Sequence, residues 1–270
     1  MSHADPQNPY QSPQAYPPAA ASAMPPPAHK LEKLEYLRAY NYIFENPEWT
    51  TVLLWGALMA LLPVVGPLVL LGYIFVVIDA LLESKGTRYP VLDLNRFVDY
   101  LVRGLWPFLA SLVVAVLLIP IYFVAWLVIM VGMMIAHQAG GEDAAGVAML
   151  ILMPIMFLIE IVLILGLNII TLPLMLRAGL AQDFAEAFKF DWIKDFVRKM
   201  WLDTLLAMLF MTVTSMALVL VGYLACCIGV FFVQPIVMLA YAHFLYQLYA
   251  IYLTRGGQPV FAKPKLPSHV

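Results

Sequence analysis

Six apolar runs, at residues 50–65, 67–83, 107–136, 147–178, 201–226 and 230–254, leave this chain few folds to choose from. A helix rises 1.5 Å per residue, so runs of this length cross, or nearly cross, a hydrocarbon core of ~30 Å. A composition of 63% hydrophobic and 12% charged residues with a mean hydropathy of +0.85 is too apolar for a soluble domain. A membrane β-barrel would instead show alternating segments of about ten residues, and these are absent. The predicted fold class is therefore all-α, a polytopic membrane protein with six transmembrane helices arranged as three hairpins. The first two runs are short enough just to span or to form a shallow hairpin. The fourth, with Pro154 and Pro173, is long enough that it must tilt, kink or protrude.

What precedes each hairpin is the second constraint. In the stretch 186–203, Trp192, Ile193, Phe196, Val197, Met200 and Trp201 share one helical face, and Asp191, Lys194, Asp195, Arg198 and Lys199 take the other. This pattern predicts an interfacial helix that hands the chain into the bilayer. Two further stretches match its spacing. Tyr40, Phe44 and Trp49 are spaced like Phe97, Leu101 and Trp106, and like Trp192, Phe196 and Trp201. Each hairpin is thus expected to follow an amphipathic surface helix, with Trp49, Trp106, Trp192, Phe196 and Trp201 as interfacial anchors.

Charge placement sets the expected orientation. All 15 Lys and Arg residues fall in the tails or around the polar segments that follow the second and fourth runs, whereas the hairpin tips near Gly66, Gly141 and Ile228 carry none. The positive-inside rule then puts both termini and the three surface helices in the cytoplasm, in an inner or plasma membrane. Residues 1–30 hold eight of the 20 prolines and almost no charge, so they are expected to be a disordered cytoplasmic tail, serving as a tether or as a Pro-rich docking ligand. Residues 31–254 form the transmembrane domain and 255–270 an extended cytoplasmic tail. No secretory signal is evident. Cys226 and Cys227 are adjacent and read as small apolar residues at a membrane turn rather than a disulfide.

Few residues offer chemistry. Glu160 lies deep in the fourth run, where a charge costs roughly 3 kcal/mol to insert. It must be neutral, paired or facing water, and Asn168 and Thr171 share its stripe. This polar seam is either a proton or cation site in a transport path or interhelical hydrogen bonding. His243 and Gln247, four apart on the last run, share a face and read as a second interhelical polar pair, conceivably meeting Glu160. Tyr241, Tyr246, Tyr249 and Tyr252 on that run read as an aromatic belt and packing surface. No metal site, cofactor or nucleic-acid contact is indicated, and HExxH, GxSxG, phosphate-loop and GxGxxG motifs are absent.

Three stretches together carry a resemblance: YIFENPEWTTVLLWGALMALLPVVGPLVLLGY, YPVLDLNRFVDYLVRGLWPFL and AEAFKFDWIKDFVRK. The Asn-Pro and Trp before an apolar hairpin with Gly72-Tyr73, the loop proline Pro90, and Arg103-Gly104-Leu105 resemble the bacterial and archaeal family named domain of unknown function 4013. The resemblance covers roughly residues 36–254. Val91 and Leu92 stand where that family carries an acidic and aromatic pair. It implies a multi-pass membrane protein and supplies no catalytic residues. The expected function is a non-catalytic membrane scaffold or accessory subunit in contact with lipid and with a membrane-protein or cytoplasmic partner. The alternatives are a small transporter or channel built around Glu160 and an intramembrane lipid-processing enzyme.

Overall fold

The computed structural model describes residues 31–224 and 229–261, the side chains of 144 and 145 excepted. The Pro-rich segment 1–30, the Cys226-Cys227 turn and the end of the C-terminal tail lie outside the described residues. The regular structure within them is all helical: α1 (Arg38–Glu45), α2 (Trp49–Ala60), α3 (Val65–Ser84), α4 (Phe97–Ala181), α5 (Phe190–Leu224) and α6 (Gly229–Thr254), with 3-10 turns at Leu94–Arg96 and Ala185–Phe188. Helix α4 is broken at Gly140 and Gly141, the latter at φ 68°, ψ −153°, a conformation open essentially to glycine alone. An outgoing arm (97–139) and a returning arm (142–181) result, and they lie together where Gly132 approaches Leu152. The chain thus reverses in the Gly-rich loop that lacks Lys and Arg.

Among the described residues five helical segments are long and apolar enough to cross a membrane: Val65–Ser84, Leu94–Asp143, Gly146–Ala181, Phe190–Leu224 and Gly229–Thr254. The first apolar run is not a sixth of that length. Helix α2 has 12 residues, ~18 Å of rise, and it ends before Pro63 and before Val64, whose φ is 66°. A proline without an N–H and a left-handed residue directly after it close the helix there.

Helix α6 is the axis of the packed region, with every residue from His243 to Tyr252 buried. The chain from Glu35 to Gly56 runs antiparallel along it: Glu35 meets Gln247, the Tyr42 hydroxyl donates to the Leu239 carbonyl at 2.7 Å, and Gly56 abuts Pro235. Helix α5 also runs antiparallel to α6, with Phe196 against Tyr252 and Phe210 against Phe244. Tyr246, Tyr249 and Tyr252 are therefore core residues, while Tyr241 is half-buried.

The three expected surface helices take a different form. Residues 97–106 continue without interruption into the outgoing arm, and 190–203 continue into α5; α1 alone is separate, cut off at Asn46-Pro47. Helix α5 contains no proline, and its 35 residues rise ~52 Å, well beyond a ~30 Å core. The apolar face of its charged third packs on α6, where Trp192 and Phe196 meet Tyr252. The matched aromatic triplets are not equivalent either. Trp192 and Phe196 are buried, Phe97 and Leu101 are half-buried, and Phe44 is exposed while Tyr42 and Ile43 turn inward.

Contact between α3 and the outgoing arm depends on two glycines. A Cβ on Gly72 would lie 1.8 Å from the Tyr100 carbonyl oxygen, and one on Gly104 would lie 2.0 Å from that of Leu68. The two backbones touch, as in small-residue packing of membrane helices. Around this crossing the Tyr73 hydroxyl donates to the Pro90 carbonyl at 2.6 Å, Tyr73 meets Tyr100 edge-on, and Arg103 pairs with Asp79 at 2.6 Å. Gly72-Tyr73, Pro90 and Arg103-Gly104, quoted above as sequence motifs, are thus one structural joint.

Candidate functional site

The polar seam lies on the returning arm. Glu160 is exposed, without a hydrogen bond or ion pair among the described residues. Asn168 is half-buried and turns its amide back to the Ile164 carbonyl at 2.8 Å, and Thr171 is half-buried below it. The seam does not meet His243, which is enclosed in the core at 2% exposure. Not one residue in the most apolar stretch of either arm is buried inside the protein.

The expected anchors divide into two groups. Trp49 and Trp106 are half-buried, Trp49 edge-on to Phe44, and Trp201 is 50% exposed. Trp192 and Phe196 instead stack on each other inside the protein, where the Trp192 indole donates to the Gln258 carbonyl at 2.8 Å. Rings enclosed at 4% and 0% exposure have no surface left for lipid headgroups. Sequence periodicity showed that these two share a face but not what covers it.

His243 and Gln247 do form a pair, and it is more constrained than a generic interhelical bond. Gln247 Oε1 accepts the Glu35 backbone N–H at 2.7 Å, and its Nε2 donates to the Glu35 carbonyl at 3.0 Å and contacts His243 Nδ1 at 2.8 Å. The two backbone bonds fix which end of the amide is nitrogen. Its second N–H then points at Nδ1, so Nδ1 accepts and the imidazole proton of neutral His243 resides on Nε2. That Nε2 is buried with no hydrogen-bond partner among the described residues, and so is the Tyr246 hydroxyl one turn away. The Gly86 backbone faces the imidazole, just outside full hydrogen-bond geometry at Nε2. Leu31, Glu35, Arg38, Lys85, Gly86 and Thr87 complete the lining of a cavity of about 210 Å³. The i, i+3, i+4 spacing of His243, Tyr246 and Gln247 was the available signal; the contributions of Glu35, Arg38 and Lys85, from distant segments, had none.

Elsewhere the charged end is held by ion pairs. Arg177, 8% exposed, donates from Nε to the Glu186 carbonyl at 2.9 Å and to the Glu186 carboxylate at 2.7 Å, and its guanidinium stacks over Trp192. Partial burial pushes the Glu186 carboxyl up, but hydrogen bonds and charge from Lys189 and Arg177 outweigh it and hold the group below its ordinary value. At the opposite end of α6, an apolar crevice of about 430 Å³ lies between Leu70, Ile74, Phe108, Phe231 and Met238, with Gln234 on its wall. Among the described residues no group of three or more His, Cys, Asp and Glu side chains is placed to hold a metal ion.

Long apolar helices around a buried, tyrosine-rich axis, with ion pairs gathered at one end, define a multi-pass membrane protein. The family model described as Protein of unknown function (DUF4013) matches residues 55–227, and the chain belongs to that family. No curated protein and no solved structure matches it. The match includes the Gly72–Gly104 joint, both arms and all of α5.

Proposed function

We propose that this protein is a non-catalytic membrane scaffold or accessory subunit of the cytoplasmic membrane, with its charged end and both termini in the cytoplasm. The observation that carries the reading is the contrast within α4: its arms leave the packed region and expose their apolar sides along most of their length. A helical hairpin with so little contact to the rest of its own chain offers its surface to lipid and to other membrane helices. Glu160 supports the same reading, because a carboxyl on that surface is satisfied by a neighbouring helix or by remaining neutral. The Pro-rich sequence of residues 1–30 is the candidate for a second, cytoplasmic contact, as a ligand for a partner that recognises Pro-rich segments or as a tether.

The test is purification of the full chain in nanodiscs after cross-linking in cells. A membrane protein recovered in fixed proportion, and lost when Glu160 and the exposed faces of the arms are replaced by leucine, supports the scaffold. Ion or solute flux in proteoliposomes, abolished by Glu160→Gln and seen with no partner present, would replace it with the transporter reading. A reporter fused after Val270 checks orientation, with activity expected on the cytoplasmic side only.

A further inference from the structure

Beyond α6 the chain is tied back onto the protein. Arg255 pairs with Asp203 on α5, and Gly256 turns the backbone at φ 74°. The residues that follow run back along α6, with Gln258 at Tyr252 and Val260 at Tyr249. Among the described residues four side-chain bonds hold this strap, and all of them go to its backbone. Lys199 Nζ donates to the Gly256 carbonyl at 3.0 Å and the Trp192 indole to the Gln258 carbonyl at 2.8 Å. The Gln258 and Val260 N–H groups donate to the Tyr252 and Tyr249 hydroxyls at 3.2 and 2.8 Å. The bonds fall on residues 256, 258 and 260, the alternation of an extended chain. Pro259, which has no N–H to satisfy, takes an unbonded place between them, and its side chain and that of Gln258 are exposed. Side-chain fit enters at two points: Val260 is buried, and a Cβ on Gly257 would lie 2.4 Å from the Tyr252 ring.

The groove beneath the strap is held in shape by α5 and α6 themselves. Trp192 stacks on Phe196 and meets Tyr252 edge-on, while Asp195 accepts from the Tyr252 hydroxyl and from Lys199, both at 2.8 Å. The groups that read the strap are thus positioned by contacts in which it takes no part, and a wall ordered in advance binds at lower cost. We propose that this groove is a recognition site for an extended, proline-containing peptide of a partner, closed in cis by the protein's own residues 256–260. Main-chain bonds supply the hold, and selectivity rests on a glycine against Tyr252 and an apolar residue three positions on. A segment stiffened by proline is extended before it docks and loses little freedom on an aromatic-lined groove. The groove lies at the charged end, apart from the arms of α4, so peptide binding is measured separately from capture of a membrane partner.

Gly257→Leu in the full chain expels the strap, and Val260→Asp lifts it from its other end should the first variant fail to fold. Each variant in nanodiscs is titrated with a fluorescein-labelled peptide GGQPVF, the sequence of the strap and the residue after it. Anisotropy reads binding, and hydrogen exchange reads release of the strap. The amides of Gln258 and Val260 are expected to lose protection while those of 244–251 keep theirs. The peptide is expected to bind saturably and about tenfold or more tighter than to the parent, whose groove is filled. Adding Trp192→Phe, which keeps a ring and removes the indole N–H, should weaken binding by about tenfold; leucine at the second glycine of the peptide should abolish it. The proposal is overturned if both variants lose the cooperative thermal transition, which would make the strap part of the core, or if the strap amides stay protected in both. It is equally overturned if a folded variant with a released strap does not bind the peptide, or binds it as well with Trp192→Phe.

Discussion

Two halves of this molecule are built from similarly apolar sequence and reach opposite outcomes. Around the charged end of α6 nearly every large side chain is enclosed, and tyrosines bond to carbonyls of neighbouring segments. Along the arms of α4 the same kinds of residue face outward, and hydrogen bonding is confined largely to the helix itself. Hydrophobicity does not separate them, since lipid is as apolar as leucine and gives helices no reason to associate. What separates them is whether small residues let backbones meet and whether polar side chains fix the register.

Glycine substitution should break this contrast most sharply. Gly104→Leu forces a side chain into the backbone of α3 and is expected to abolish the folded state, read as loss of a cooperative thermal transition in detergent. Gly166→Leu on the returning arm meets nothing within 4 Å and should leave that transition in place. Next in size, Phe196→Ala opens a cavity beneath Tyr252 and should cost about 3–5 kcal/mol. Phe157→Ala, on a ring 55% exposed, should cost less than about 1 kcal/mol.

Acid should loosen only the packed end. The folded-state pKa of Glu186 lies below its unfolded value near ~4.3. Its stabilisation is therefore fully present above that value and lost as pH falls through the folded pKa. Hydrogen exchange at 177–192 is expected to accelerate below about pH 4 while the arm tips are unaffected, and Glu186→Gln should remove the pH dependence. The smallest effect belongs to Glu160→Gln, which should leave the stability of the isolated chain unchanged. A clear loss would mean that Glu160 has a partner within its own chain.

Much of this was legible beforehand, for reasons that can be assigned to residues. The apolar runs and the Gly140-Gly141 reversal are local signals, read directly from composition and backbone chemistry. The shortness of α2 was half visible in Pro63; the unusual conformation of Val64 was not. The amphipathic face of 190–203 was also visible, but a periodic face has the same appearance whether lipid or α6 covers it. For 97–106 the spacing of Phe97, Leu101 and Trp106 did not show that Tyr100, Arg103 and Gly104 are the buried residues, which they are because Gly72 stands opposite. Such contacts join residues distant in sequence, and no spacing within one segment encodes them. The same limit concealed the cavity, where Glu35, Lys85 and His243 converge from three segments.

The central claim is that Phe190–Leu224 is one continuous helix whose charged third packs its apolar face on α6 rather than on a membrane surface. Spin labels at Asp191 and Val213, both exposed, with Cys226 and Cys227 replaced by serine, test it directly in nanodiscs. A continuous helix separates these Cα positions by ~33 Å at 1.5 Å per residue. A right-angle turn at Trp201 into the bilayer would bring them to ~23 Å by the same geometry. A dipolar distance distribution centred near the longer value is the predicted result, and one centred near the shorter would contradict it.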